Sequence, residues 1–121
     1  MTPGEYQTAA GPGAGIEIMS MPAELDLITC EGVVEEGYAA IARSARLLLL
    51  DLAGLFFCDA RGLSAFVRIA NQADAAGCRF GLIPPRPAVA KILRISGLDS
   101  RMQVFAIIED AMVLRAARAA V

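Results

Sequence analysis

This 121-residue chain contains no histidine, which leaves its carboxylates and thiols as the main candidates for chemistry. Histidine is the most frequent general base and metal ligand, so its absence removes the commonest catalytic arrangements. Pairs such as Glu35 with Glu36, or Asp51 with Asp59, could act as acid and base. No activated nucleophile or phosphate-binding glycine loop accompanies them. The sequence therefore favours a binding protein over an enzyme.

The thiols are widely spaced along the sequence. Cys30, Cys58 and Cys78 form neither a CxxC pair nor a four-residue metal set. We expect buried, reduced cysteines of the kind found in cytoplasmic proteins, and neither a metal nor another cofactor. The alternative, a redox-sensing pair, requires two of the three to lie close together in space.

Composition limits the partners that the chain can bind. Its formal net charge is -2, which leaves no strongly basic face for nucleic acid. Apolar residues make up 56% of the chain, enough for one folded domain of this length. No apolar stretch reaches the roughly 18 residues that span a bilayer, and the N-terminus does not resemble a signal peptide. We therefore expect a cytoplasmic protein without membrane contact.

The chain divides into a flexible arm over residues 1–15, rich in glycine and proline, and one domain over residues 16–121. Apolar runs predict strands, and apolar residues at helical spacing predict helices. The first two strands, over 16–21 and 24–30, are expected to be neighbours or a hairpin. The remaining elements are helix 32–45, strand 47–52, helix 60–76, strand 79–83, helix 87–96, strand 103–106 and helix 107–120.

The strongest local signal is the apolar run over residues 47–52, which predicts a central strand covered on both faces. Phe56-Phe57-Cys58 is expected to continue this buried path up to Asp59. Asp59 then caps the following helix through its carboxylate. Alternating strands and helices predict an α/β domain with a mixed, largely parallel sheet of about five strands and crossover helices.

The segment DLAGLFFCDARGL, residues 51–63, resembles the signature of STAS domains, the fold of bacterial anti-sigma factor antagonists. Glu24-Leu25-Asp26 is similar to an early motif of that family, and Ala76-Gly77 to another. Residues 88–98 and 108–111 are similar to its later motifs. The resemblance covers about residues 16–116 and implies a single STAS-like domain.

Members of this family bind an anti-sigma factor of the ATP-dependent serine-kinase class and thereby release a sigma factor. The kinase inactivates them by phosphorylating a serine directly after the motif aspartate. Here that position holds Ala60, which has no hydroxyl, and Arg61 replaces the second motif serine. The resemblance therefore implies an antagonist that always remains able to bind. The alternative is a phosphorylation-independent scaffold or sensory component of a larger signalling assembly.

By this resemblance, the partner-binding surface lies at the start of the helix that begins near Ala60. The Pro84–Pro87 turn flanks it. Its residues are Asp26, Asp59, Ala60, Arg61, Gly62 and Leu63. Asp26 could also be a simple strand-end turn, and Arg61 an ordinary solvated arginine. Ser64, one helical turn beyond Ala60, is a weak substitute for the missing phosphate acceptor. A homodimer is left open.

Overall fold

The computed structural model describes residues 8–10, 15–43, 45–83 and 86–104. Its strands are β1 (Thr8–Ala10), β2 (Ile16–Ser20), β3 (Glu24–Leu25), β4 (Leu47–Asp51), β5 (Phe57–Cys58), β6 (Arg79–Ile83) and β7 (Gln103–Val104). Its helices are α1 (Cys30–Ala42), α2 (Ala60–Ala75), α3 (Pro87–Ser96) and α4 (Leu98–Arg101). The helix predicted over Ile107–Ala120 lies outside the described residues.

Five strands form the main sheet, in the order β1-β2-β4-β6-β7. Strand β1 pairs antiparallel with β2, and the other neighbours pair in parallel. Helices lie in each connection between consecutive parallel strands, as crossovers require. The predicted fold class, a mixed and largely parallel α/β sheet, is confirmed. Because residues 8–10 pair with β2, the sheet extends into the segment predicted as an arm.

Strand β4 lies at the centre of this sheet, and its four leucines are buried. Side chains alternate between the faces of a strand. Leu48 and Leu50 accordingly join the large core that includes helix residues, whereas Leu47 and Leu49 join a smaller cluster with Ile16. Burial on both faces explains why a leucine run forms a strand despite its helix propensity.

Helices α1 and α2 pack closely against each other. A Cβ built on Gly37 of α1 would lie 2.8 Å from Cδ1 of Ile69 on α2, so any larger residue would require Ile69 to move. Ile69 and Phe66 of α2 are fully buried in the large core. This packing fixes the two helices side by side.

A second, two-stranded sheet joins β3 and β5 in parallel, with Glu24 opposite Phe57 and Leu25 opposite Cys58. The prediction that strands over 16–21 and 24–30 are neighbours was therefore wrong. Strand β3 ends after two residues because the Asp26 carboxylate bonds to the backbone beyond it, which competes with strand pairing. Residues 27–29 form a turn, and Cys30 begins α1.

The predicted buried path through residues 56–58 was also wrong for its two aromatic residues. Phe56 is 60% exposed and Phe57 is 51% exposed, whereas Cys58 is buried. The backbone N–H groups of Phe56 and Phe57 both donate to the carbonyl of Ala23, at 2.8 and 3.2 Å. These bonds hold the segment at the surface, beside β3, instead of inside the core.

Candidate functional site

Two strand–aspartate–helix units lie side by side and form the site. Asp26 directly follows β3 and precedes α1, and Asp59 directly follows β5 and precedes α2. The two strands are paired in parallel, and the N–H of Asp59 donates to the carbonyl of Leu25 at 3.2 Å. Both aspartates thus follow strands at the same end of the small sheet, which is separate from the main sheet.

Asp59 is the N-cap of α2, as its position in the sequence predicts. Its backbone is extended, and its Oδ1 accepts hydrogen bonds from the N–H groups of Arg61 at 2.9 Å and Gly62 at 3.0 Å. The first N–H groups of a helix have no partner within the helix, and the helix dipole there favours a negative charge. Asp59 thus fixes where α2 begins.

Asp26 closes the turn that leads into α1. Its Oδ1 accepts from the N–H groups of Ile28 at 2.9 Å and Thr29 at 3.1 Å. The Thr29 hydroxyl donates to the carbonyl of Glu24 at 2.8 Å and accepts from the N–H of Asp26 at 3.0 Å. Asp26 therefore acts as a strand-end turn residue. Thr29, which sequence reasoning missed, secures the same turn from the other side.

Gly62 lets the first turn of α2 lie directly against β3. A Cβ at this position would be 2.5 Å from the carbonyl oxygen of Leu25 and 2.6 Å from Sγ of Cys58. Real Cβ atoms essentially never come this close, so no other residue fits without movement of the backbone. Gly62 is thus a packing residue under the surface, not a residue that a partner could contact.

The remaining predicted residues divide by exposure. Ala60, Arg61 and Ser64 are exposed, and Leu63 is half-buried against the large core. Ala60 is the first residue of α2 and stands beside its capping aspartate. The first residue of α2 is therefore exposed and carries no hydroxyl.

Sequence reasoning missed a group of exposed apolar side chains around the small sheet. Leu27 is 63% exposed and Ile28 is 88% exposed, both in the turn after Asp26. Phe56, directly before β5, and Phe57, its first residue, are exposed as well. An apolar pair inside a turn that an aspartate closes was the available signal, since such a turn cannot bury its side chains.

The flank predicted at the Pro84–Pro87 turn is described only from residue 86 onwards. Arg86 precedes α3, and its guanidinium reaches the loop between β4 and β5. That loop leads into Phe56. The described part of the turn thus contacts the segment that leads to the small sheet.

All three cysteines are reduced and buried. Burial, and secondarily the adjacent Asp59 carboxylate, raise the pKa of Cys58 to about 12. Burial also raises the pKa of Cys78. Thiolates are the nucleophilic and metal-binding form, so neither thiol is activated. Within the described ranges, no three metal-ligating side chains cluster, and no helix is long and apolar enough to cross a membrane.

Comparison with known proteins places this arrangement in a family. A family model described as STAS domain matches residues 13–111. The anti-sigma-F factor antagonist RsfB of Mycobacterium tuberculosis is 24% identical over 98 residues, which cover 81% of this chain and 80% of that protein. Residues 13–111, which the family model matches, contain both strand–aspartate–helix units.

Solved structures share the fold. An anti-sigma factor antagonist from Mycobacterium paratuberculosis matches with a TM-score of 0.77 at 22% identity, covering 93% of this chain and 96% of that one. The anti-sigma factor antagonist SpoIIAA of Bacillus, in its unphosphorylated form, matches with a TM-score of 0.76 at 21% identity. That match covers 92% of this chain and 96% of SpoIIAA.

Proposed function

Because the chain belongs to the STAS domain family, we propose that it is an anti-sigma factor antagonist, which binds an anti-sigma factor and thereby frees a sigma factor. The proposed partner is of the ATP-dependent serine-kinase class. The names of the relatives support this role, since RsfB and SpoIIAA are both anti-sigma factor antagonists. The observation that carries it is the exposed apolar pair Leu27 and Ile28, in the turn that follows β3 and leads into α1. Strand β3 pairs with β5, the strand that leads into α2.

We call the proposed binding surface the docking surface. Its residues are Asp26, Leu27, Ile28, Asp59, Ala60 and Arg61. Contiguous exposed apolar side chains are typical of protein–protein interfaces, whereas monomers expose few of them. The two aspartates are each held by two backbone N–H groups, so they can come into contact with a partner without losing all their hydrogen bonds. A partner would bind across both helix N-termini.

Under this proposal, the protein cannot be switched off by phosphorylation at residue 60. SpoIIAA has been solved in a phosphorylated as well as an unphosphorylated form, but Ala60 offers no acceptor oxygen. A phosphate there would bring about two negative charges next to Asp59, and it would weaken binding by repulsion and desolvation. Without an acceptor, the docking surface stays in its binding form. Ser64 is proposed to be an ordinary surface serine.

Affinity capture from the native host, followed by mass spectrometry, tests the partner. The variant Ile28→Asp places a charge in the docking surface at a side chain that is 88% exposed, so the fold should tolerate it. Ile95→Asp is the matched control, because Ile95 is 73% exposed on α3. We expect the wild type and Ile95→Asp to retain an ATPase-type anti-sigma factor, and Ile28→Asp to lose it. Equal recovery by all three would contradict the docking surface.

The scaffold alternative predicts a different result. Because Ala60 removes the acceptor, the protein could serve in an assembly without being phosphorylated. Capture of other STAS proteins, with no such ATPase, would favour this role over antagonism. The variant Ala60→Ser adds a second readout, since a retained kinase should transfer the γ-phosphoryl group of ATP to the new hydroxyl and release ADP. Binding without transfer would show that the site has diverged beyond one residue.

A further inference from the structure

The loop over residues 52–56 leads from the central strand to the small sheet, and a local hydrogen bond and two longer-range ones hold its backbone. The carboxylate of Asp51 accepts from the N–H of Ala53 at 3.0 Å. The N–H of Leu52 donates to the carbonyl of Ile83, and the N–H of Phe56 donates to the carbonyl of Ala23. The loop backbone is therefore fixed at its beginning and at its end.

Two side chains hold the middle of this loop: that of Leu55 is fully buried in the large core, and that of Arg86 contacts the loop from the surface. Its Nε donates to the carbonyl of Ala53 at 2.7 Å. Its guanidinium carbon lies 3.7 Å from the centroid of the Phe56 ring, which is a cation–π contact. A planar guanidinium can make both contacts at once, whereas a lysine ammonium cannot stack on the ring in the same way.

Arg86 is itself held in place. It is the N-cap residue of α3, with extended backbone angles of -65° and 155°, and its carbonyl accepts from the N–H of Ala90 at 2.8 Å. Pro87 follows as the first helical residue, and the proline ring restricts the backbone there. The side chain of Arg86 thus projects from a rigid helix start.

These contacts leave Phe56 in a defined position at the surface. Arg86 covers part of the ring, yet Phe56 is 60% exposed. Phe56 lies at the opposite end of the small sheet from Asp26 and Asp59. A rigid, exposed aromatic ring loses little conformational entropy on binding, which is why such residues are often the strongest contributors to interfaces.

We infer that Arg86 is a positioning residue that holds Phe56 as a second contact point for the anti-sigma factor, beyond the docking surface. The partner contact rests on the proposed function, whereas the positioning itself does not. The chemistry that would fit is an apolar side chain against the free part of the ring, bordered by a carboxylate facing the guanidinium.

A measurement on the protein alone tests the positioning. Amide hydrogen exchange at Phe56 and Phe57 is compared by NMR between the wild type, Arg86→Lys and Arg86→Ala. Arg94→Ala, which removes another exposed arginine of α3, is the control. We expect exchange about 5-fold faster in Arg86→Ala than in the wild type, because loss of the cation–π contact and the hydrogen bond shifts the local opening equilibrium of the loop by about that factor. Exchange in Arg86→Lys should lie between the two. Unchanged exchange in Arg86→Ala would overturn the positioning role.

The ring contact has its own readout. In the wild type, the guanidinium resonances of Arg86 should shift upfield, because they lie over the face of Phe56. Phe56→Leu keeps an apolar side chain but removes the aromatic ring, so the shift should disappear in that variant. An Arg86 resonance unaffected by Phe56→Leu would show that the pair is not formed in solution.

A binding measurement tests the partner contact, using the anti-sigma factor recovered by the capture experiment. We expect Arg86→Ala to raise the Kd about 5-fold, because the variant lacks the guanidinium that faces the partner's carboxylate beside the Phe56 ring. An unchanged Kd for Arg86→Ala, with a wild type that binds, would overturn this inference and leave the proposed function standing. A wild type that does not bind any anti-sigma factor would overturn both the proposed function and the partner contact, while hydrogen exchange still decides the positioning.

Discussion

The substitution Gly62→Ala tests whether close contact between α2 and β3 builds the docking surface. Its added Cβ would lie 2.5 Å from the carbonyl oxygen of Leu25, about 0.9 Å less than the shortest ordinary contact of 3.4 Å. It would also lie 2.6 Å from Sγ of Cys58 and 2.9 Å from Cγ of Leu25. The nearest of these atoms belongs to the backbone and Cys58 is buried, so the start of α2 has to move.

The expected net effect is a loss of about 2 kcal/mol in the free energy of unfolding. Overpacking of a tight site costs about 1–3 kcal/mol, and occasionally more. Contact with a backbone carbonyl places Gly62→Ala at the upper end of that range. Alanine in a helix interior is favoured over glycine by about 1 kcal/mol, which offsets part of the cost. For a domain of this size, the net loss lowers Tm by roughly 8 °C.

Gly54→Ala is the matched control. Its Cβ would meet only the carbonyl oxygen of Met21, at an ordinary 3.8 Å, and its backbone does not have a positive φ. The control loses the same unfolded-state freedom without a clash, so it should be neutral or stabilising by up to about 1 kcal/mol. Urea unfolding of the two variants measures the difference. Equal stability of Gly62→Ala and Gly54→Ala would refute the close-approach argument.

Three further changes follow from the same structure. Asp59→Ala removes the cap of α2 and should lower the free energy of unfolding by about 1 kcal/mol, while Ser64→Ala, exposed on the same helix, should change it by less than about 0.5 kcal/mol in urea unfolding. Leu50→Ala removes a fully buried side chain and should cost about 2–5 kcal/mol; a smaller loss by calorimetry would mean a less tightly packed core. The raised pKa of Cys58, about 12 against an ordinary value of 9.0, means that the unfolded chain deprotonates first as the pH rises. Its contribution to stability should therefore be complete below about pH 9 and be lost towards pH 12, which the difference in unfolding between the wild type and Cys58→Ala across that range would show or disprove.

The sequence was sufficient to predict the four parallel strands of the main sheet and the helix that carries the site. The apolar run at 47–52 and the helical spacing after Asp59 both reflect the burial of apolar side chains, which contributes most of the free energy that favours folding. The start of α2 was predictable because an aspartate directly before a helix satisfies its free N–H groups by a local bond. Gly77 and Gly97, at the ends of α2 and α3, adopt the positive φ values that favour glycine.

The arrangement around the small sheet was harder to predict, because it depends on contacts between residues that are distant in the sequence. Pairing of Glu24 with Phe57 joins segments 33 residues apart, and no local pattern encodes it. Hydrophobicity alone suggested that Phe56 and Phe57 are buried, whereas their backbone bonds to Ala23 hold them at the surface. The role of Arg86 likewise requires knowing that its helix begins beside Ala53.

The most direct test of the account is release of a sigma factor from a purified complex with its kinase-type anti-sigma factor. The complex is mixed with this protein and ATP, and free sigma factor is followed over time by native gel electrophoresis. We predict release by the wild type that persists, because Ala60 cannot be phosphorylated, and release by Ala60→Ser that declines as the kinase acts. No release by an excess of the wild type, or a decline as fast as that of Ala60→Ser, would contradict the account.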